Sequence, residues 1–76
     1  MIIELVEDVQ VRVPEHWPPP GSAQTFTTLN KGTKVNYSSE RRHPDHKLHR
    51  FSCFTAKYGI LEYTCVTLTN EIPSWL

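Results

Sequence analysis

Glycine is scarce, three residues in seventy-six. Phosphate-cradling loops of the Walker and dinucleotide type need clustered glycines, so nucleotide binding is not expected. Cysteine is limited to Cys53 and Cys65. No C-x-x-C pair exists, and no H-E-x-x-H run supplies the three or four ligands that a zinc site needs. No apolar stretch approaches the ~18 residues of a membrane span. The start of the chain lacks a basic residue leading an apolar segment, so no secretory signal is expected and the default location is cytoplasmic. Net charge is also missing, at zero by formal count. A dedicated nucleic-acid binder is more often strongly basic over its whole domain. No nucleophile elbow or glycine-rich oxyanion turn is present, and neither cysteine is marked as an activated thiolate. The chain is therefore expected not to be an enzyme, and no cofactor or metal is implied.

What is present is aromatic, proline-rich and locally charged. Two Trp, three Tyr and three Phe give a chain of this size enough bulk for one compact core. Prolines at 14, 18, 19, 20, 44 and 73 discourage long helices. Seventy-six residues make a single domain with a thin stability margin. Charge is unevenly spread. Residues 1–30 carry −3, residues 31–57 carry +5 and residues 58–76 carry −2. Half of the positive charge falls in Arg41-Arg42-His43-Pro44-Asp45-His46-Lys47-Leu48-His49-Arg50. Those ten residues hold four of the eight Lys and Arg and three of the four His.

Strand signals dominate the rest. Val9, Val11 and Val13 alternate with polar residues, a period-2 pattern with β-branched side chains on one face. Ile3 and Leu5 extend that odd-numbered face, but Glu7 interrupts it. The segment is either two short strands or one strand with a bulge near Glu7-Asp8. Pro14 ends it. Residues 14–24 read as a loop in which Pro18-Pro19-Pro20 holds polyproline II geometry and Gly21 releases it. Trp17 there either covers the core, the commoner role, or serves as an exposed anchor. Thr25–Leu29 reads as a strand, Asn30-Lys31-Gly32 as a tight turn with Gly32 able to take positive φ, and Thr33–Tyr37 as a returning strand with Val35 and Tyr37 on one face. Ser38 to about Lys47 reads as a polar loop.

Leu48–Lys57 and Ile60–Thr69 form the strongest hairpin signal, with the reversal near Tyr58-Gly59. If Tyr58 and Gly59 are the turn, Lys57 opposes Ile60 and Cys53 points away from Cys65. If the loop is one residue longer, the two cysteines face each other directly. A reducing compartment favours buried thiols acting as small hydrophobes in either case. At the end of the chain, Ile72, Trp75 and Leu76 have the spacing of one helical or 3₁₀ turn closing the core.

Short strands, a long loop after the first, a tight distal hairpin and a closing Ile72-Pro73-Ser74-Trp75-Leu76 turn together resemble SH3-like small barrels. The Ala-Leu-Tyr-Asp-Tyr signature and adjacent Trp pair of signalling SH3 domains are absent, so proline-peptide binding is not implied. Size and plainness also resemble accessory proteins of bacteriophages, which bind and redirect a host factor. The expected fold is all-β, a small open barrel or twisted antiparallel sheet of about five short strands with a C-terminal helical turn.

The expected role is binding of a macromolecular partner, foremost an acidic protein surface, as an inhibitor or modulator. The expected contacts are Arg41, Arg42, His43, His46, Lys47, His49 and Arg50, with Trp17 as an aromatic anchor. Histidines gain charge as pH falls, so binding of an anionic partner should tighten toward pH 6. A nucleic-acid-binding barrel is the alternative, with the cations on phosphates and Phe51, Phe54, Tyr37 or Tyr58 stacking on bases. A homodimer built by strand addition is the third reading, because small domains gain core by pairing. The plain alternative for the basic stretch is a solvated loop that keeps the domain soluble.

Overall fold

A computed structural model describes residues 1–13 and 25–76. Trp17 and the proline loop lie outside the described residues. The described chain forms six strands: β1 (Ile2–Glu4), β2 (Val9–Arg12), β3 (Phe26–Leu29), β4 (Lys34–His43), β5 (His46–Thr55) and β6 (Gly59–Leu68). They make a four-stranded antiparallel sheet in the order β1-β4-β5-β6 and a two-stranded antiparallel sheet of β2 and β3. No helix occurs among the described residues.

The interrupted odd-numbered face at the start resolves into two short strands in different sheets. Leu5, between them, is buried and fixes the corner. Its N–H donates to the Thr33 carbonyl (3.0 Å), and its carbonyl accepts from Gly32 N–H (2.8 Å). The Lys31 N–H donates to the Asp8 carboxylate at 2.7 Å. The Asn30–Gly32 turn is thus clamped to the Leu5–Asp8 corner. Gly32 sits at φ 91°, a left-handed conformation that strains any residue with a Cβ. This turn does not close a hairpin. It carries the chain from β3 in one sheet to β4 in the other, where Val35 and Tyr37 point inward as their spacing predicts.

Two expectations about the hairpins need correction. Residues 38–47 are not a polar loop. They form the end of β4, a turn at Pro44-Asp45, and the start of β5. Hydrophobic alternation is missing here because both faces of this hairpin end lie beyond the core. The backbone ladder with β5 holds the strand instead, with a register shift between Glu40 and His43. The final hairpin forms as expected, but in neither anticipated register. Thr55 pairs with Gly59, Cys53 with Leu61 and His49 with Cys65. The turn is Ala56-Lys57-Tyr58, closed by Gly59 at φ 75°. The Thr55 hydroxyl organises it, accepting from Tyr58 N–H (3.1 Å) and donating to the Gly59 carbonyl (3.0 Å).

The core lies between the sheets. Leu5, Val9, Val11 and Leu29 meet Val35, Tyr37, Phe51 and Leu61. Trp75 closes it, edge-on to Phe51 at 4.9 Å and to Tyr37 and Tyr63 at 5.9 and 6.0 Å between ring centroids. These offset geometries suit the ring quadrupoles and add to the burial of the indole. The chain end makes one hydrogen-bonded turn, Leu76 N–H to the Pro73 carbonyl at 3.1 Å. Ile72 does not share in the closure. It is 72% exposed, and Pro73 is buried in its place. The turn is fastened to the Leu5–Asp8 corner by the bond from Val6 N–H to the Trp75 carbonyl (3.1 Å) and by the Ser74 hydroxyl donating to the Glu7 carboxylate.

Candidate binding surface

The basic stretch is the far end of the β4–β5 hairpin. Every residue from Ser38 to His46 is exposed, so this end projects past the core. It is nevertheless braced. The Thr69 N–H donates to the Asp45 carbonyl (3.0 Å), and the Thr69 hydroxyl donates to the Pro44 carbonyl (2.9 Å). The Arg41 guanidinium leans over the same turn and donates to the Pro44 carbonyl at 3.1 Å. His43 Nδ1 accepts from Asp45 N–H at 3.1 Å. His43 and His46 pair across the ladder with rings 5.5 Å apart. The tip is thus a shaped surface rather than a floppy loop.

Strand alternation then divides the predicted contacts. Arg41, Arg42, His43 and His46 come together at the tip, where the first three and Pro44 enclose an open recess of about 270 Å³. Arg42 is partly spoken for, with its Nε 3.1 Å from the Glu40 carboxylate; both side chains are well exposed, so the pair is weak. Arg50 stands on the outer face of the sheet, where Leu48 and Ser38–Glu40 line a small recess beside it. Lys47 is half-buried on the opposite side of the strand.

His49 does not belong to this surface. It is 1% exposed and faces the interior, because odd-numbered residues of β5 point into the core with Phe51 and Cys53. Its Nδ1 lies 2.7 Å from the Tyr37 hydroxyl and its Nε2 lies 2.8 Å from Thr67 Oγ1. The Thr67 hydroxyl has one proton, directed at the Leu68 or Glu71 carbonyl (3.0 and 3.2 Å). Thr67 Oγ1 therefore accepts from His49 Nε2–H, and Nδ1 accepts from the tyrosine O–H. The network satisfies each buried polar atom with a neutral imidazole. Burial pushes the His49 pKa down, and the Lys47 ammonium pushes it the same way.

The stacking residues invoked for nucleic acid are largely unusable. Phe51 and Tyr37 are buried in the core, Tyr58 is half-buried, and Phe54 is exposed at the opposite end of the sheet. Burial works against the cysteines as nucleophiles. Both are free, and burial raises both thiol pKa values, with a Trp75 contact partly offsetting the effect at Cys65. They cannot bridge, because Cys65 sits four residues beyond the partner of Cys53, or ~13 Å along the strand. Among the described residues no three His, Cys, Asp or Glu side chains converge as a metal cage. No described helix is long and apolar enough to cross a membrane.

One feature was missed by sequence reasoning. Even-numbered residues of β5 and β6 present Phe54, Ile60, Val66 and Leu68 to solvent on the outer face. Near Phe54 and Ile60, a cleft of about 400 Å³ opens, reaching Ile2, Leu29 and Lys34. Both strands were legible, but their outward faces were not, because an apolar residue on every other position marks a face without saying whether that face meets the core. No protein-family model, curated protein or solved structure matches this chain.

Proposed function

We propose that the protein is a non-enzymatic binding module whose β4–β5 tip docks on an acidic surface of a protein partner and thereby modulates it. The observation that carries this reading is a braced, projecting hairpin end bearing Arg41, Arg42, His43 and His46 outside the core. A rigid tip loses little conformational freedom on docking, and clustered cations steer an anionic partner toward it. Lys47 and Arg50 flank the tip on its two faces. His49 is left out of the contact set because it is occupied inside. With Tyr37 and Phe51 buried, an acidic protein surface suits the tip better than a single strand of nucleic acid, which needs aromatic platforms. The SH3-like reading of the architecture belongs to the same proposal. A paired β2–β3, a β4–β5–β6 meander and a closing Pro73–Leu76 turn follow that order of elements.

The test is a pull-down from the source cell with the wild-type chain and with Arg41→Glu/Arg42→Glu. Capture of one defined acidic protein by the wild type alone, with affinity for the purified partner falling as salt rises, supports the proposal. Equal capture by the charge-reversed chain refutes the tip as the contact. Binding to generic DNA or RNA with a steep salt slope, and to no protein, overturns the proposal in favour of nucleic acid.

A further inference from the structure

β6 is an edge strand whose backbone is unpaired on one side among the described residues. Tyr37 N–H bonds to the Met1 carbonyl beside β1, so odd-numbered residues of β4 turn toward β1. Antiparallel alternation then turns even-numbered residues of β4 toward β5, and odd-numbered residues of β5 toward β6. It follows that Ile60, Glu62, Thr64, Val66 and Leu68 direct their N–H and C=O groups away from the sheet. Among the described residues only the Leu68 carbonyl is otherwise engaged, by Glu71 N–H and by the Thr67 hydroxyl, each at 3.0 Å. β2 lies against β6 without pairing with it. Natural edges are protected by prolines, charged side chains (lysine above all), bulges or shortness. Of these β6 has a single charge, Glu62. It runs ten residues without Pro, Lys or Arg, and its register against β5 is unbroken.

We propose that a second copy of this chain covers that edge, with the two β6 strands pairing antiparallel about a two-fold axis at Thr64. The strand is self-complementary in this register. Ile60 falls opposite Leu68 of the second copy, Glu62 opposite Val66, and Thr64 opposite Thr64. Apolar pairs and a Thr–Thr pair are favourable cross-strand neighbours. On the outer face, Ile60 of one copy meets Leu68 and, diagonally, Val66 of the other, with Phe54 beside Ile60 and Leu48 beside Val66 on the flanking β5 strands, twice by symmetry. All but the half-buried Leu48 are now exposed, Phe54 by 78% and Ile60 by 63%. The charges agree with the same axis. β6 has one charged side chain, Glu62, and the two carboxylates lie ~14 Å apart, beyond the Debye length of ~10 Å. An axis at Glu62 would set them face to face. Continuing the Thr64-centred register past the strand ends brings the Ala56–Tyr58 turn of one copy level with the Thr69–Glu71 turn of the other, with Lys57 against Glu71. The cationic tips point to opposite ends of the assembly, so they neither repel each other nor block docking. The interface is isologous and closes at two copies.

The experiment is sedimentation equilibrium of the full chain from 1 to 100 µM, with circular dichroism as a check on folding. A mass rising toward twice 8.8 kDa is expected. Thr64→Pro removes only an outward N–H, and Thr64→Lys places two ammonium groups face to face. Both are expected to sediment as folded monomers at every concentration. Thr64→Lys decides alone if the proline variant does not fold. Lys57→Glu should weaken the dimer by roughly three- to tenfold, and adding Glu71→Lys should restore it. A wild type that stays monomeric to 100 µM overturns the proposal. So does a folded Thr64→Lys that still dimerises, or a mass that climbs past two copies. Arg41→Glu/Arg42→Glu should leave the mass unchanged, which separates this seam from the tip.

Discussion

Acidification should loosen this protein through His49. The imidazole is 1% exposed and neutral in its network: Tyr37 O–H donates to Nδ1, and Nε2–H donates to Thr67. A proton on Nδ1 would turn an acceptor into a donor facing the tyrosine oxygen. The phenol hydrogen would then be left in a dry core without a partner, in addition to the cost of a buried charge. The folded-state pKa is accordingly lowered, by burial first and Lys47 second. Above the ordinary histidine pKa of ~6.5 both folded and unfolded states are neutral, and the contribution of the network is complete. Below it the unfolded chain takes up a proton that the folded chain refuses. Stability then falls by up to about 1.4 kcal/mol per pH unit until the lowered folded-state pKa is reached. A domain of this length has roughly 4–11 kcal/mol in total, so one unit matters.

The assay is urea unfolding at pH 7.5, 6.5 and 5.5 on the wild type and on Tyr37→Phe/His49→Phe. The double substitution removes donor and acceptor together, so no buried tyrosine hydroxyl is orphaned; His43 and His46 are present in both proteins and cancel. The wild type should lose up to about 1 kcal/mol more than the variant between pH 6.5 and 5.5. His49→Phe alone should cost a further ~1–3 kcal/mol at pH 7.5, because Tyr37 is left without an acceptor. Equal pH slopes for wild type and double variant would refute the reasoning.

Other outcomes follow from the same geometry. Trp75→Ala should destabilise by ~3–5 kcal/mol, much of the domain's margin, with thermal melting and loss of near-ultraviolet dichroism as the readout. Both thiols should react with a disulfide reagent at pH 8 more slowly in the native protein than in urea, and mass spectrometry after air oxidation should show no Cys53–Cys65 bridge.

Much of the strand layout was legible because alternation and β-branching are local. Val9, Val11, Val13, Val35 and Tyr37 turned inward as their spacing requires. The turn at Gly32 was legible because positive φ narrows the choice of residue. Register was not. The last hairpin depends on how the Thr55 hydroxyl and Gly59 close a three-residue turn, a detail that sets Cys53 opposite Leu61 rather than in either anticipated register. The hairpin end at 38–47 looked like a loop because it buries nothing, yet pairing needs only backbone. The same blind spot mislabelled His49. Its neighbours in sequence are cationic, and only strand parity separates the inward imidazole from the outward Arg50.

The grip of Thr69 on the Pro44-Asp45 bend carries a mechanical meaning. It joins the hairpin end to the segment that leads on to the buried Trp75. A load placed on that end would therefore reach the chain terminus through the one threonine as well as through the strands.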